Sequence, residues 1–141
     1  MTSLQPFLSW IAGLILFFLS GIHFYWLSRG QTNGNKVVPT INGKLAFQPG
    51  KFATVIVGIL LCMAAFLPIG LTFENPFGVP KFLFRDGVFF LSFLFLLRTI
   101  GEFRLVGFFK SIKGTPFAEY DTKYYSPLCL FLSLLLFLSA I

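Results

Sequence analysis

One histidine and five carboxylates are the side chains of this chain able to shuttle protons near neutral pH, and eleven Lys and Arg supply positive charge. Placement singles out His23, Glu102 and Asp121 as candidates for acid–base catalysis, because an imidazole next to an orienting carboxylate is a common proton-handling pair. Arg98, Arg104 and Lys110 could hold an anionic group or stabilise developing negative charge, and Tyr25, Trp26 and Tyr125 could wall a binding site. Arg98 and Glu102 are four residues apart, one helical turn, and would share a helix face. Plainer roles stand beside these. Arg98 could snorkel to an interface with Glu102 neutralising it, His23 could be a hydrogen-bonded packing residue, and Asp121 with Thr122 could cap a helix. Cys62 and Cys129 lie in separate apolar segments with no metal-ligand spacing and read as small hydrophobes, so neither a metal site nor a cofactor is implied.

The elements that must position these residues follow from composition. Of the 141 residues 56% are hydrophobic and 11% charged, with 21 Phe and a mean hydropathy of +0.83. Soluble domains carry about 25% charged residues. A fold of about 150 residues leaves nearly a third of its chain surface in water, too much for this composition to hide. A soluble enzyme and a disordered chain are both excluded, which leaves a small integral membrane protein occupying residues 1–141 as one membrane domain.

The sixteen charges fall in three stretches and leave apolar segments between them. Residues 7–28 are 22 uncharged residues, roughly 33 Å as a helix and enough to cross a hydrocarbon core of about 30 Å. No basic n-region or cleavage site marks them as a signal peptide, so they read as a retained span with Trp10 at one interface and Tyr25 and Trp26 at the other. A second span covers 52–73, with Pro68 kinking or ending it. The third is charge-free only over 87–97 and must run through Arg98 and Glu102, to about residue 105, in order to cross. The fourth is 124–141. Residues 103–114 alternate Leu105, Phe108, Phe109 and Ile112 with Arg104, Lys110 and Lys113 at helical spacing, which predicts a short basic interfacial helix before the last span. The expected fold is therefore all-α, a polytopic four-transmembrane-helix bundle. Its 29–51 connection, with Asn-Gly turns at 33–34 and 42–43, is long enough to serve as a lid.

Nine Lys and Arg fall in the first and third connections and two, Lys81 and Arg85, in the second. The positive-inside rule then places both termini outside the cell membrane and the basic loops 29–51 and 106–123 in the cytoplasm. His23, Arg98, Glu102, Asp121 and Tyr125 gather at that cytoplasmic end.

Three stretches resemble a known family. They are His23-Phe-Tyr25-Trp26; Leu97-Arg98-Thr-Ile-Gly101-Glu102-Phe103-Arg104 continuing to Lys110; and Thr115-Pro-Phe117-Ala118 continuing through Asp121-Thr122 to Cys129. The family is that of small bacterial membrane proteins known as domain of unknown function 3995. The resemblance covers nearly the whole chain and implies a four-helix integral membrane protein. It implies no activity, cofactor or site.

Function classes remain open at this point. One is a binding module whose cytoplasmic end holds a lipid headgroup or a small polar ligand, with membrane lipids as partners. Another is a membrane-embedded enzyme on a lipid-like or quinone-like substrate, which requires His23 and a carboxylate to approach within about 3–4 Å or through one water. An accessory subunit of a membrane complex is a third. A multidrug-type transporter fits poorly, since the first, second and fourth spans contain no acid. Nucleic acid is not an expected partner, because no basic run interleaved with aromatics occurs. A homodimer is compatible with so thin a bundle, although Gly13, Gly21 and Gly58 are too generic to mark an interface.

Overall fold

The computed structural model describes residues 4–32, 34–74 and 78–141. Helix α1 runs Leu4–Ser28, strands β1 (Thr40–Ile41) and β2 (Lys44–Leu45) form a small hairpin, and α2 runs Gly50–Gly70. Helix α3 follows at Lys81–Ile100, then α4 at Pro116–Tyr120, a π turn at Asp121–Tyr125, and α5 at Ser126–Ala140. The last three are continuous, so Pro116–Ala140 is one helix with a widened turn near its start.

Local chemistry explains the boundaries. Asn42 and Gly43 adopt φ of 51° and 76°, the two positive values that a tight antiparallel turn requires, and they join Thr40↔Leu45 and Ile41↔Lys44 as pairs. This is the predicted 42–43 turn. The companion at 33–34 includes Asn33, which lies outside the described residues. Helix α2 ends two residues after Pro68. Pro80 precedes α3, and Thr115 opens α4 by accepting the Ala118 amide at 3.1 Å, with Pro116 in the first turn.

Packing is antiparallel between neighbours: α1 lies on α2, α3 on α5, α1 on α5, and α2 more loosely on α3. Small and hydroxylated residues let the helix backbones approach closely. Ser20 donates to the Gly58 carbonyl at 2.7 Å across α1 and α2. Ser92 and Ser133 each donate to the other's carbonyl, at 2.9 and 2.8 Å, across α3 and α5. Ala12, Leu16, Ala65, Val88, Leu132 and Leu136 fill the space between these contacts.

The outside is apolar as well. Phe18, Phe52, Phe90 and Phe131 are each more than half exposed. Helices α1, α2 and Pro116–Ala140 are each long and apolar enough to cross a membrane. Helix α3 has 20 residues, with Lys81, Arg85 and Asp86 toward one end and Arg98 near the other. Its middle also exposes Phe90, Phe93 and Leu94.

Two expectations are corrected. The third helix ends at Ile100 and does not continue to residue 105, because Gly101 turns the chain at φ 81°. Residues 103–114 form no interfacial helix. Phe103, Gly107 and Gly114 all take positive φ, and the segment folds back on itself through Ser111 N to Phe103 O at 3.1 Å and Ile112 N to Arg104 O at 3.0 Å. Helical spacing of Leu105, Phe108 and Ile112 was present, but three left-handed positions are incompatible with a helix. The short helix that does precede the last one is α4, at its own N-terminus.

Candidate functional site

Asp121 is the centre of the polar structure. It lies in the first residue of the π turn and is wholly buried. Arg98 Nη2 donates to Oδ1 at 2.7 Å, Lys110 Nζ to Oδ2 at 3.1 Å, and the Gly107 amide to Oδ2 at 2.8 Å. Lys110 is itself 3% exposed and also donates to the Gly107 carbonyl at 2.9 Å and to Thr122 Oγ1 at 2.6 Å. Two cations against one carboxylate leave a net positive charge at this end; Lys110 and Asp121 are buried, where charge counts for more, while Arg98 is partly exposed. A widened helical turn is a frequent companion of such sites, since it re-aims one side chain out of register with its neighbours.

The loop that delivers Lys110 and the Gly107 amide depends on two glycines. Gly101 and Gly107 pack backbone to backbone: a Cβ on Gly107 would lie 2.6 Å from the Gly101 Cα, and one on Gly101 would overlap the Val106 carbonyl. Both have positive φ, 81° and 85°. Phe108 N donates to Thr99 O at 2.8 Å and closes the loop against the end of α3.

A cleft of about 320 Å³ opens beside this cluster, lined by Lys110, Lys113, Thr122, Lys123 and Glu119 among others. Lys113 and Lys123 are exposed. Lys123 Nζ also sits 5.3 Å from the Tyr124 ring centroid.

Other candidates go elsewhere. Glu102 is exposed and accepts the Leu105 amide, and its expected pairing with Arg98 is replaced by the Arg98–Asp121 bridge. The chain leaves the helix at Gly101, so the one-turn spacing of 98 and 102 no longer applies. Asp121 and Thr122 do not cap the N-terminus of a helix; Thr115 does. Arg104 is exposed, and its carbonyl holds Ile112 N. Tyr25 is exposed beneath the Arg29 guanidinium, 5.6 Å from its ring centroid. Tyr125 Oη donates to the Lys36 carbonyl at 3.0 Å, and Lys36 Nζ lies 5.3 Å from the Tyr120 ring centroid, so the 29–49 loop is strapped to the helix that carries Asp121.

His23 and Trp26 belong to a second cavity, between the end of α1, the start of α2 and the 29–49 loop. Its lining contains no acidic residue, and among the described residues no carboxylate oxygen lies within 4.0 Å of His23. The direct His–carboxylate approach needed by the enzyme reading is therefore missing among them. No group of three His, Cys, Asp or Glu able to hold a metal occurs among the described residues.

Sequence reasoning missed the Gly107 amide, Thr122 as a partner of Lys110, and Lys36 as a partner of Tyr125. The paired glycines at 101 and 107, flanking a segment with two charges, Glu102 and Arg104, were the available signal for a closed loop.

The model of the protein family of unknown function DUF3995 matches residues 16–136. The chain belongs to this family. No curated protein and no solved structure matches it. In this DUF3995 chain the match takes in His23, the strapped loop, Arg98, Lys110 and Asp121, so both polar centres lie within the family region.

Proposed function

We propose that this is a four-span integral membrane protein whose basic end binds an anionic, phosphate-bearing lipid headgroup. In this reading α3 crosses with α1, α2 and Pro116–Ala140. Nine Lys and Arg lie toward the end that carries the 29–49 and 101–115 connections, against Lys81 and Arg85 at the other. The positive-inside rule assigns the basic end to the cytoplasm and the termini to the outside of the cell membrane.

The observation that carries the headgroup reading is the cleft where Lys110, Lys113, Lys123 and Thr122 converge against the single acid Glu119. Asp121 fixes Lys110 and Arg98 and consumes only one of their two charges. Lys113 and Lys123 are exposed and supply the mobile contacts. A cationic surface residue near an anionic leaflet contributes about 1 kcal/mol. The double variant Lys113→Ala/Lys123→Ala should lose about 2 kcal/mol, roughly 30-fold, in retention of phosphatidylglycerol over phosphatidylcholine. Native mass spectrometry of the protein released from mixed nanodiscs reads this directly. Equal retention of phosphatidylglycerol by parent and variant would contradict the proposal.

A further inference from the structure

The His23 cavity is independent of the lysine cleft, and its chemistry differs. It measures about 180 Å³ and is walled by Val38, Phe47, Val57 and Trp26, with His23, Thr32 and Thr54 as polar members. No charged residue lines it. Val38, at 2% exposure, seats the loop over it, and the Tyr125–Lys36 bond ties that loop to the last helix.

His23 Nδ1 lies 2.8 Å from the Leu19 carbonyl. A carbonyl only accepts, so Nδ1 carries the proton and donates; in the neutral ring Nε2 is then the acceptor. Thr54 spends its hydroxyl proton on the Gly50 carbonyl at 3.0 Å, which also leaves it only lone pairs to offer. The cleft thus offers acceptors at His23 and Thr54, with the Thr32 hydroxyl and the Trp26 indole N–H as donors, on an otherwise apolar lining. An uncharged, mostly apolar occupant with one hydroxyl suits this lining: it donates to His23 Nε2, and its oxygen can accept from Thr32 or Trp26, so no buried polar group is left unsatisfied. Size narrows this further: an apolar cavity of about 150 Å³ takes one benzene ring, so about 180 Å³ accommodates one substituted ring. Trp26, whose ring centroid is 5.2 Å from that of His23, provides an aromatic wall beside the acceptor.

We infer that the cavity beneath the 29–49 loop is a binding site for a single-ring phenolic group, with the phenol hydroxyl donating to His23 Nε2 and the ring lying among Trp26, Val38 and Val57. The site lies where the ends of α1 and α2 meet their connecting loop, so a phenol-headed amphiphile could enter from a membrane surface with its tail left in lipid.

His23 is the only histidine in the chain, so its imidazole signals in a heteronuclear NMR spectrum need no assignment. Titration of the full-length protein in phosphatidylcholine nanodiscs with phenol, and separately with toluene at matched membrane concentration, tests the site. Phenol should shift the His23 signals saturably and bind about five-fold tighter than toluene, the discrimination expected of one net hydrogen bond. The cavity-filling pair Ala53→Leu/Val57→Phe should abolish the saturable shift. A non-saturating response, or equal responses to phenol and toluene in the unmodified protein, would overturn the inference without reliance on any variant. So would a saturable shift that persists in a folded Ala53→Leu/Val57→Phe protein.

Discussion

Arg98 and Asp121, 23 residues apart in sequence, meet at 2.7 Å with the carboxylate wholly buried. The bridge ties the end of α3 to the start of the last helix, and Lys110 extends it to the loop between them. Removal of one partner from a buried ion pair costs about 3–5 kcal/mol because the remaining charge is stranded. Asp121→Asn should therefore destabilise the protein by about that amount in chemical unfolding from mixed micelles. Asp121→Leu combined with Arg98→Met and Lys110→Met should recover part of the loss, since no charge is left behind. A triple variant less stable than Asp121→Asn would argue against the ionic account.

The loop glycines give a second expectation. Gly101→Ala and Gly107→Ala each impose left-handed strain of roughly 1–2 kcal/mol, with overpacking of similar size added by the backbone contact. Gly114 also has positive φ, 77°, but nothing lies near its missing Cβ. Gly114→Ala should cost about 1–2 kcal/mol, and the other two distinctly more. Thermal unfolding of the three variants side by side checks the order.

These two clusters also show where the sequence was legible. Uncharged runs located α1, α2 and the body of the last helix to within a few residues at most ends, and Asn42-Gly43 located its turn. The Arg98 partner was not legible. Four-residue spacing favoured Glu102, and only the positive φ at Gly101 removes that residue from the helix. Likewise Leu105, Phe108 and Ile112 kept a helical period in a segment whose backbone is set by Phe103, Gly107 and Gly114. Periodicity reports side-chain faces; it is silent on which backbone positions must be left-handed. The capping role offered as the plainer alternative for Asp121 belongs to Thr115, six residues earlier.

Ser92 and Ser133 offer a third test. Each hydroxyl serves the other's carbonyl, so either alanine substitution removes one of two bonds. Hydrogen bonds between helices in a bilayer average about 0.6 kcal/mol and reach about 1.7. Ser92→Ala and Ser133→Ala should each cost within that range. The double variant should cost less than their sum, as expected for two groups in direct contact. A double-mutant cycle on steric-trap unfolding resolves the coupling.

The strap over the His23 cavity is the fourth. Tyr125→Phe deletes the bond to the Lys36 carbonyl and keeps the ring, which should cost about 1 kcal/mol. Because that bond holds a surface loop, the effect should concentrate there: amide exchange over residues 34–46 should quicken about five-fold, while α2 and α5 stay unchanged. Uniform acceleration through the helices would mean that Tyr125 supports the whole fold and not the loop.

The central claim is that α3 crosses the membrane, placing both basic connections on one side and residue 74 on the other. Single cysteines introduced at Lys44, Glu74 and Lys113 in a Cys62→Ala/Cys129→Ala background can be probed in intact cells with a membrane-impermeant maleimide. The account predicts labelling at position 74 alone, with positions 44 and 113 reacting only after the cells are opened. Labelling of 74 and 113 from the same side would show that α3 does not span, and would contradict it.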